Sequence, residues 1–411
     1  MNPIKSIKVD IINDSRNIPT LSVTVTTEES KTGNCMVPSG ASTGKYEAYE
    51  LRDDDTSHGG VTKAKENILE IIAPVIIGKD VTNQKNIDDT LIKLDGTKNK
   101  SKLGGNSILG VSFACGKAGA STMGKEFYEY MRMLAEVSPN EICPLLYFNL
   151  INGGKHAKTG LAFQEYHIVP KVDSVTEALD IAQKIENILG EIIKEKYGDV
   201  EKGDEGGYAV PTENIREPLE LLSQAVKKSG LESDIMFALD VAATSFYDEV
   251  TKTYKVGDER HTKEELHDTY VSLAEAFPIL SIEDPFYEED FESFAKLKQD
   301  LSKVIIVGDD LTVTNIERVK KAHELGSISG LIVKPNQIGT LTETLDVITY
   351  AQKNGIHCIV SHRSGETMDD MIADITEAFH CFGMKSGARG PKEREVKYAR
   401  LVKIHNNKNS N

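Results

Sequence analysis

Six short apolar runs in the second half of the chain each end on a residue that can carry charge or hold a metal. They are DIMFALD at Asp240, ILSIED at Glu283, VIIVGDD at Asp309, GLIVKPN at Lys334, HCIVSHR at His362 and FGMKSG at Lys385. The steps between these residues are 43, 26, 25, 28 and 23. A step in the twenties accommodates one strand, one helix and two tight connections. Each chemical residue therefore stands where a buried strand ends and a loop begins. In a parallel α/β barrel all such ends face one way, and that face does the chemistry.

Asp240, Glu283 and Asp309 would repel one another in a low-dielectric mouth, and a bound dication removes that cost. Hard oxygen donors suit Mg²⁺, Mn²⁺ or Ca²⁺, and a set too small to fill a shell favours Mg²⁺ completed by substrate and water. The competing explanation is that each acid merely caps the helix that follows. Lys334 comes directly after an apolar run and before Pro335, so it is aimed; near a dication its pKa should fall, as a general base requires. A lysine snorkelling at a strand end is the alternative. Glu205 in KGDEGGYA lies among glycines that permit a sharp turn or close approach to a ligand, and Glu165 stands in LAFQEYHI. His362, Arg363 and Ser364, with Lys385, form a candidate anion seat, because arginine offers a planar donor fork. His156 in NGGKHAK adds a donor. The stretch PSGASTGKYEA, Pro38 to Ala48, reads as a loop able to close over a ligand. It is not a phosphate-cradling Walker loop, since Gly40 and Gly44 enclose three residues and Tyr46 follows the lysine.

The elements that must position these residues come in two blocks. IKSIKVDI (residues 4–11) and TLSVTVTT (20–27) alternate at period two, and a third strand is expected over Asn34 to Pro38, giving an antiparallel meander. Helical spacing follows in VTKAKENILEIIAPVII, which stops at Gly78, in NQKNIDDTLIKLDG and in NSILGVSFACGKAGASTMG. Strands first and helices second make an α+β unit, expected to occupy residues 1–135. From Leu145 strands and helices alternate, so residues 136–411 are expected to form the α/β barrel. The polar tail HNNKNSN should fray.

Composition narrows the function classes. A net charge of −16, from 48 basic and 64 acidic residues, disfavours nucleic acid or an anionic membrane as partner. No run approaches the ~18 apolar residues of a membrane helix, and the N-terminal stretch has charges within its apolar residues, unlike a signal peptide. Five cysteines without a CxxC pair fit a thiol-reducing cytoplasm.

Together the motifs PSGASTGKYEAYELRD, LDGTKNKSKLGGNSILGVS, NLINGGKHA, GDEGGYA, ALDVAATSFY, SIEDPF, GDDLTVTN, VKPNQIGTLTET, SHRSGET and MKSGA resemble the enolase family, over nearly the whole chain. The resemblance implies a small α+β domain before a TIM-like barrel of ββαα(βα)6 type. It implies a magnesium-dependent hydro-lyase interconverting 2-phosphoglycerate, a small phosphorylated three-carbon acid, and phosphoenolpyruvate. Lys334 would be the general base and Glu205, protonated, the general acid supported by Glu165. His156, His362, Arg363, Ser364 and Lys385 would grip substrate. Asp240, Glu283 and Asp309 would hold one Mg²⁺, and Ser42 a second that arrives with substrate. A homodimer, or an oligomer of dimers, is also implied. The family pattern has a glycine after Arg16, where this chain has Asn17, and the loop at His156 is unusually cationic at Lys155 and Lys158. The alternatives are another acid-sugar dehydratase of the enolase superfamily, which the Arg363–Ser364 pair disfavours, and a binding role without turnover.

Overall fold

The computed structural model describes residues 1–40, 44–54, 58–140 and 142–408. Ser42 lies outside them, so its expected metal role has no structural counterpart here.

The first block opens with strands β1 (Ile4–Asn13), β2 (Pro19–Thr27) and β3 (Thr32–Met36), paired antiparallel in that order. Alternation dictates the buried face: Leu21, Val23 and Val25 are buried, while Ser22, Thr24 and Thr26 are only partly so. The third strand begins two residues earlier than expected and stops before Pro38. The turn after β1 places Asn17 at φ 61°, a left-handed position in which asparagine substitutes for glycine.

Helix Gly105–Thr122 lies across β2 and β3 and is buried along nearly its whole length. Small residues permit the close approach. A Cβ on Gly33 of β3 would stand 2.2 Å from the Ala114 carbonyl oxygen, and one on Gly110 would stand 2.6 Å from Val23. The expected helix ending at Gly78 is present but interrupted: α-helix Thr62–Glu66 passes into a π-helical stretch, Asn67–Ile72, before Ala73–Ile76. Helix Phe127–Ala135, closed by reciprocal bonds between Glu126 and Glu129, has no counterpart in the sequence expectations.

The second block is a closed barrel of β4 (Leu145–Asn152), β5 (Glu165–Pro170), β6 (Ile235–Asp240), β10 (Ile279–Glu283), β11 (Ile305–Gly308), β12 (Gly330–Val333), β13 (His357–Ser361) and β14 (Gly383–Lys385). Alternation does not begin at Leu145 as expected. β5 runs antiparallel to both β4 and β6, and helices Val175–Tyr197 and Glu217–Ser229 precede β6. The remaining barrel pairings are parallel. This is the ββαα(βα)6 order the resemblance implied. Tyr147, Val169, Ala238, Val307, Ile332 and Ile359 pack together inside the barrel, apart from the main core. A small sheet of β7 (Tyr247–Asp248), β8 (Thr253–Val256) and β9 (Glu259–His261) sits between β6 and β10. The C-terminal helix, Lys392–Lys408, continues through part of the stretch expected to fray.

Candidate active site

Asp240, Glu283 and Lys385 are the last residues of β6, β10 and β14, while Asp309, Lys334 and His362 immediately follow β11, β12 and β13. Glu165 reaches the same end by a different route. It begins β5, but β5 is antiparallel, so its first residue pairs with the last of β6, Asp240. The helix caps downstream are Thr262, Asp290 and Asn315. Asp240, Glu283 and Asp309 therefore do not serve as caps, which removes that explanation of their positions.

Asp240, Glu283, Asp309, His362, Lys385 and Glu165 are buried, and Lys334 is partly so. Lys385 is the hub. Its Nζ lies 2.9 Å from Asp240 Oδ2, 3.0 and 3.1 Å from the Glu283 oxygens and 3.2 Å from Glu165 Oε2. Burial disfavours the Lys385 ammonium, but Asp240, Glu165 and Glu283 outweigh it and hold its pKa well above the usual lysine value. Burial also works to raise Asp240, yet Lys385 wins and holds it down. Glu283 is pushed well up by burial and by the Asp240 charge.

Lys334 is bonded through Nζ to Asp309. Two opposing effects set its pKa. Burial pulls it down, but the Asp309 carboxylate outweighs burial and raises it. The expected fall was tied to a dication close by; in this geometry the lysine itself balances the Asp309 carboxylate. Gln337 Nε2 donates to the other Asp309 oxygen at 2.9 Å.

Glu205 stands on the glycine loop between the barrel's second strand and its third. Its Oε2 accepts from Asn149 Nδ2 at 3.0 Å, and its Oε1 lies 3.3 Å from His362 Nε2 and 3.9 Å from His156 Nδ1. Glu165, Glu205 and His156 bring ligand atoms within 4.8 Å of one another. Burial and the neighbouring Glu205 push Glu165 well up. Burial would raise Glu205 too, but His362 and His156 hold it well down. Within the pair the proton is therefore favoured on Glu165 over Glu205. His167, absent from the sequence expectations, lies 2.8 Å from Glu165 and is pushed to about 3 by burial.

Of the residues expected to seat an anion, Arg363 and Ser364 are paired within the protein. Arg363 Nη1 donates to Glu47 at 2.9 Å and to Asn336 at 3.1 Å, and Ser364 Oγ accepts from Arg16 at 3.3 Å. The free volume among these side chains is about 30 Å³. A ligand larger than this volume could enter only if some of these pairings open.

Acid crowding extends beyond the expected triad. Asp284 accepts backbone N–H groups of Asp309 and Asp310, at 2.9 and 2.6 Å. Burial and Asp309 push Asp310 up to about 8. Asp284, Asp309 and Asp310 also gather oxygens within 4.8 Å. Asp240, Glu283 and Asp309 do not form such a tight group among the described residues; Lys385 and Lys334 stand between them. Elevated carboxyls, oxygen-only donors and exchangeable lysine partners fit a divalent cation. Glu47, Gln164, Asp284 and Asp310 were missed from the sequence because their partners are remote in it, and His167 although its partner Glu165 is only two residues away. The doubled Asp309–Asp310 was the one visible signal.

Comparison with known proteins agrees with this geometry. The family "Enolase, N-terminal domain" matches residues 4–131, and "Enolase, C-terminal TIM barrel domain" matches residues 140–411. The enolase of Methanopyrus kandleri is 47% identical over 98% of this chain and 96% of its own length. That of Methanocaldococcus jannaschii is 46% identical over 98% and 94%. That of Thermococcus gammatolerans is 46% identical over 96% and 92%. A barrel with lysines and carboxylates at its mouth, matched by both domain families and by full-length relatives, places this chain in the enolase family.

Proposed function

We propose that the chain interconverts 2-phosphoglycerate and phosphoenolpyruvate plus water, with Lys334 as the base at C2 and Glu205 as the acid at the C3 hydroxyl. One observation carries the residue roles. In the barrel order, Lys334 follows β12 and Glu165 opens β5, four strands apart in a ring of eight. They face each other across the mouth, and Glu205 lies beside Glu165. A carbon acid held between them meets a base on one face and an acid on the other.

The C2 proton lies beside a carboxylate already charged, so its removal builds a second negative charge there. Lys385, buried and fully charged, is fixed where that charge develops, and preorganised charge is usually the largest catalytic contribution. Lys334 must first part from Asp309 to accept the proton. Magnesium held by Asp240, Glu283 and Asp309, with a second ion at Ser42, would supply charge compensation for the dianion and relieve the Asp309 hold on Lys334. Enolase-superfamily sites are themselves a standing example of a lysine or histidine base working beside magnesium. Glu205 delivers the proton that leaves with the C3 hydroxyl, with Glu165 beside it and His362 Nε2 3.3 Å from its Oε1. Arg363 and Ser364 seat the phosphate once Arg363 releases Glu47.

The remaining expectations belong to the same reading. Residues 1–135 form the capping domain and residues 136–411 the catalytic barrel. The active species is a homodimer or a dimer-based oligomer in the cytoplasm. Among the described residues, no helix is long and apolar enough to cross a membrane.

The test is direct. Phosphoenolpyruvate absorbance should rise when 2-phosphoglycerate is added with magnesium, cease after exhaustive chelation and return on adding magnesium back. Non-phosphorylated acid sugars should give no turnover. No product from 2-phosphoglycerate at saturating magnesium, or dehydration of an acid sugar instead, would reject the reading.

A further inference from the structure

The C-terminal helix carries a side chain that no step above uses. Arg394 is fully buried, with no exposed surface. A buried guanidinium is costly unless its donors are used, and nearly all of these donors serve the active site. Nη1 lies 2.5 Å from His362 Nδ1 and donates to the Arg363 carbonyl oxygen at 2.6 Å. Nη2 donates to the Ser364 carbonyl oxygen at 2.9 Å and reaches the Asp204 carbonyl oxygen at 3.5 Å. One side chain therefore ties together the loop after β13 and the loop that carries Glu205.

The bond to His362 has a chemical consequence. A guanidinium has donors and no acceptor. His362 Nδ1 must therefore present its lone pair, and a neutral ring then carries its proton on Nε2. That nitrogen is the one 3.3 Å from Glu205 Oε1. A proton on Nδ1 would set two donors against each other at 2.5 Å inside the protein.

We propose that Arg394 is a positioning residue that fixes His362 as the neutral Nε2–H tautomer, so that His362 offers Glu205 a hydrogen-bond donor instead of an exchangeable charge. This rests on the roles given to Glu205 and His362 above. It goes beyond them by assigning their protonation geometry to a residue on the last helix, which touches neither substrate nor reacting atoms.

The surroundings agree. Burial pushes the His362 imidazolium down to about 4; Glu205 and Glu366 act to raise it, and Arg394 acts to lower it. Glu366 is itself countered by Lys397 from the same helix. Lys385 meets His362 through its backbone carbonyl, which accepts the His362 N–H at 3.0 Å. Removing the Arg394 charge leaves Glu205 and Glu366 acting on His362 with less opposition. The imidazolium then forms at higher pH, and His362 changes from a donor held in place to a competitor for the Glu205 charge.

Two measurements test this. In intact wild-type protein labelled with ¹⁵N-histidine, the His362 ring pair is identified by its loss in His362→Gln. Between pH 6 and 8, on the order of two units above its depressed titration, it should show an unprotonated Nδ1 and a protonated Nε2. An Nδ1–H tautomer, or an imidazolium at pH 7, overturns the proposal whether or not Glu205 is the acid. The second measurement uses Arg394→Met and Arg394→Lys. Arg394→Met should lower turnover by about 10- to 100-fold, the scale for an outer partner that orients a functional histidine. It should also move the acid limb of the pH–rate profile upward by about one unit or more. Arg394→Lys should restore the limb. A merely structural Arg394 predicts lower stability with an unchanged profile of the folded enzyme, and that result overturns the proposal. Should Arg394→Met fail to fold, the wild-type tautomer decides alone.

Discussion

Replacing Lys385 by methionine tests how this site holds its charges. The side chain keeps its length but loses the ammonium within 3.2 Å of Asp240, Glu283 and Glu165. Breaking a buried ion pair by removing one partner costs about 3–5 kcal/mol, because the other charge is left uncompensated. Three carboxylates lose their partner here, which argues for the upper end, but protonation offers relief. Glu283 and Glu165 already lie well above the usual carboxylate range. A carboxyl raised in the folded state contributes stability below its unfolded pKa and loses it as pH rises through the folded value. Removing Lys385 raises both further, so the penalty should be nearly full at pH 7.5 and clearly smaller at pH 5.5. At about 2.1 cal/mol/K per residue, a chain of 411 residues unfolding as one unit has an entropy near ~0.9 kcal/mol/K. The melting temperature should then fall by about 3–6 °C at pH 7.5. Differential scanning calorimetry in chelator, at both pH values, makes the measurement. A shift under about 1 °C at pH 7.5, or equal shifts at the two pH values, would refute the charge account.

Other consequences can be checked separately. Asp309→Asn removes the Lys334 partner and one proposed metal oxygen, so calorimetric magnesium affinity should fall by about tenfold or more, with turnover falling alongside. Gly33→Ala drives a Cβ to within 2.3 Å of backbone atoms of Ala114 and Ala118; it should cost about 1–3 kcal/mol in denaturant unfolding or more, without changing the metal requirement. Light scattering at micromolar concentration should give twice the monomer mass, or a multiple of that; a fully active monomer would remove the oligomer proposal.

The strand ends were legible because most parallel strands are short apolar runs followed by a polar or charged residue, as with GLIV before Lys334. β5 was less legible. EYHIVP is buried throughout and says nothing of direction, so the antiparallel start came from resemblance. Helix Phe127–Ala135 announces itself only through Glu126 and Glu129, a reciprocal cap whose first member is not the usual serine or threonine. Partnerships were the least legible part. Glu47 meets Arg363 across 316 positions and Lys385 meets Asp240 across 145. No local pattern encodes such distances. The charge environments of Lys334 and Glu205 were hidden for the same reason, since each is set by a neighbour remote in sequence.

The central claim is the division of labour between Lys334 and Glu205. With magnesium and 2-phosphoglycerate kept saturating, exchange of the C2 proton with solvent deuterium is followed by NMR in Lys334→Ala and Glu205→Gln. Lys334→Ala should lose exchange and dehydration together, by about 10²–10⁴-fold or more. Glu205→Gln should lose dehydration on a similar scale while C2 exchange remains measurable. Wild-type exchange in Lys334→Ala, or its disappearance in Glu205→Gln with ligands still bound, would contradict the account.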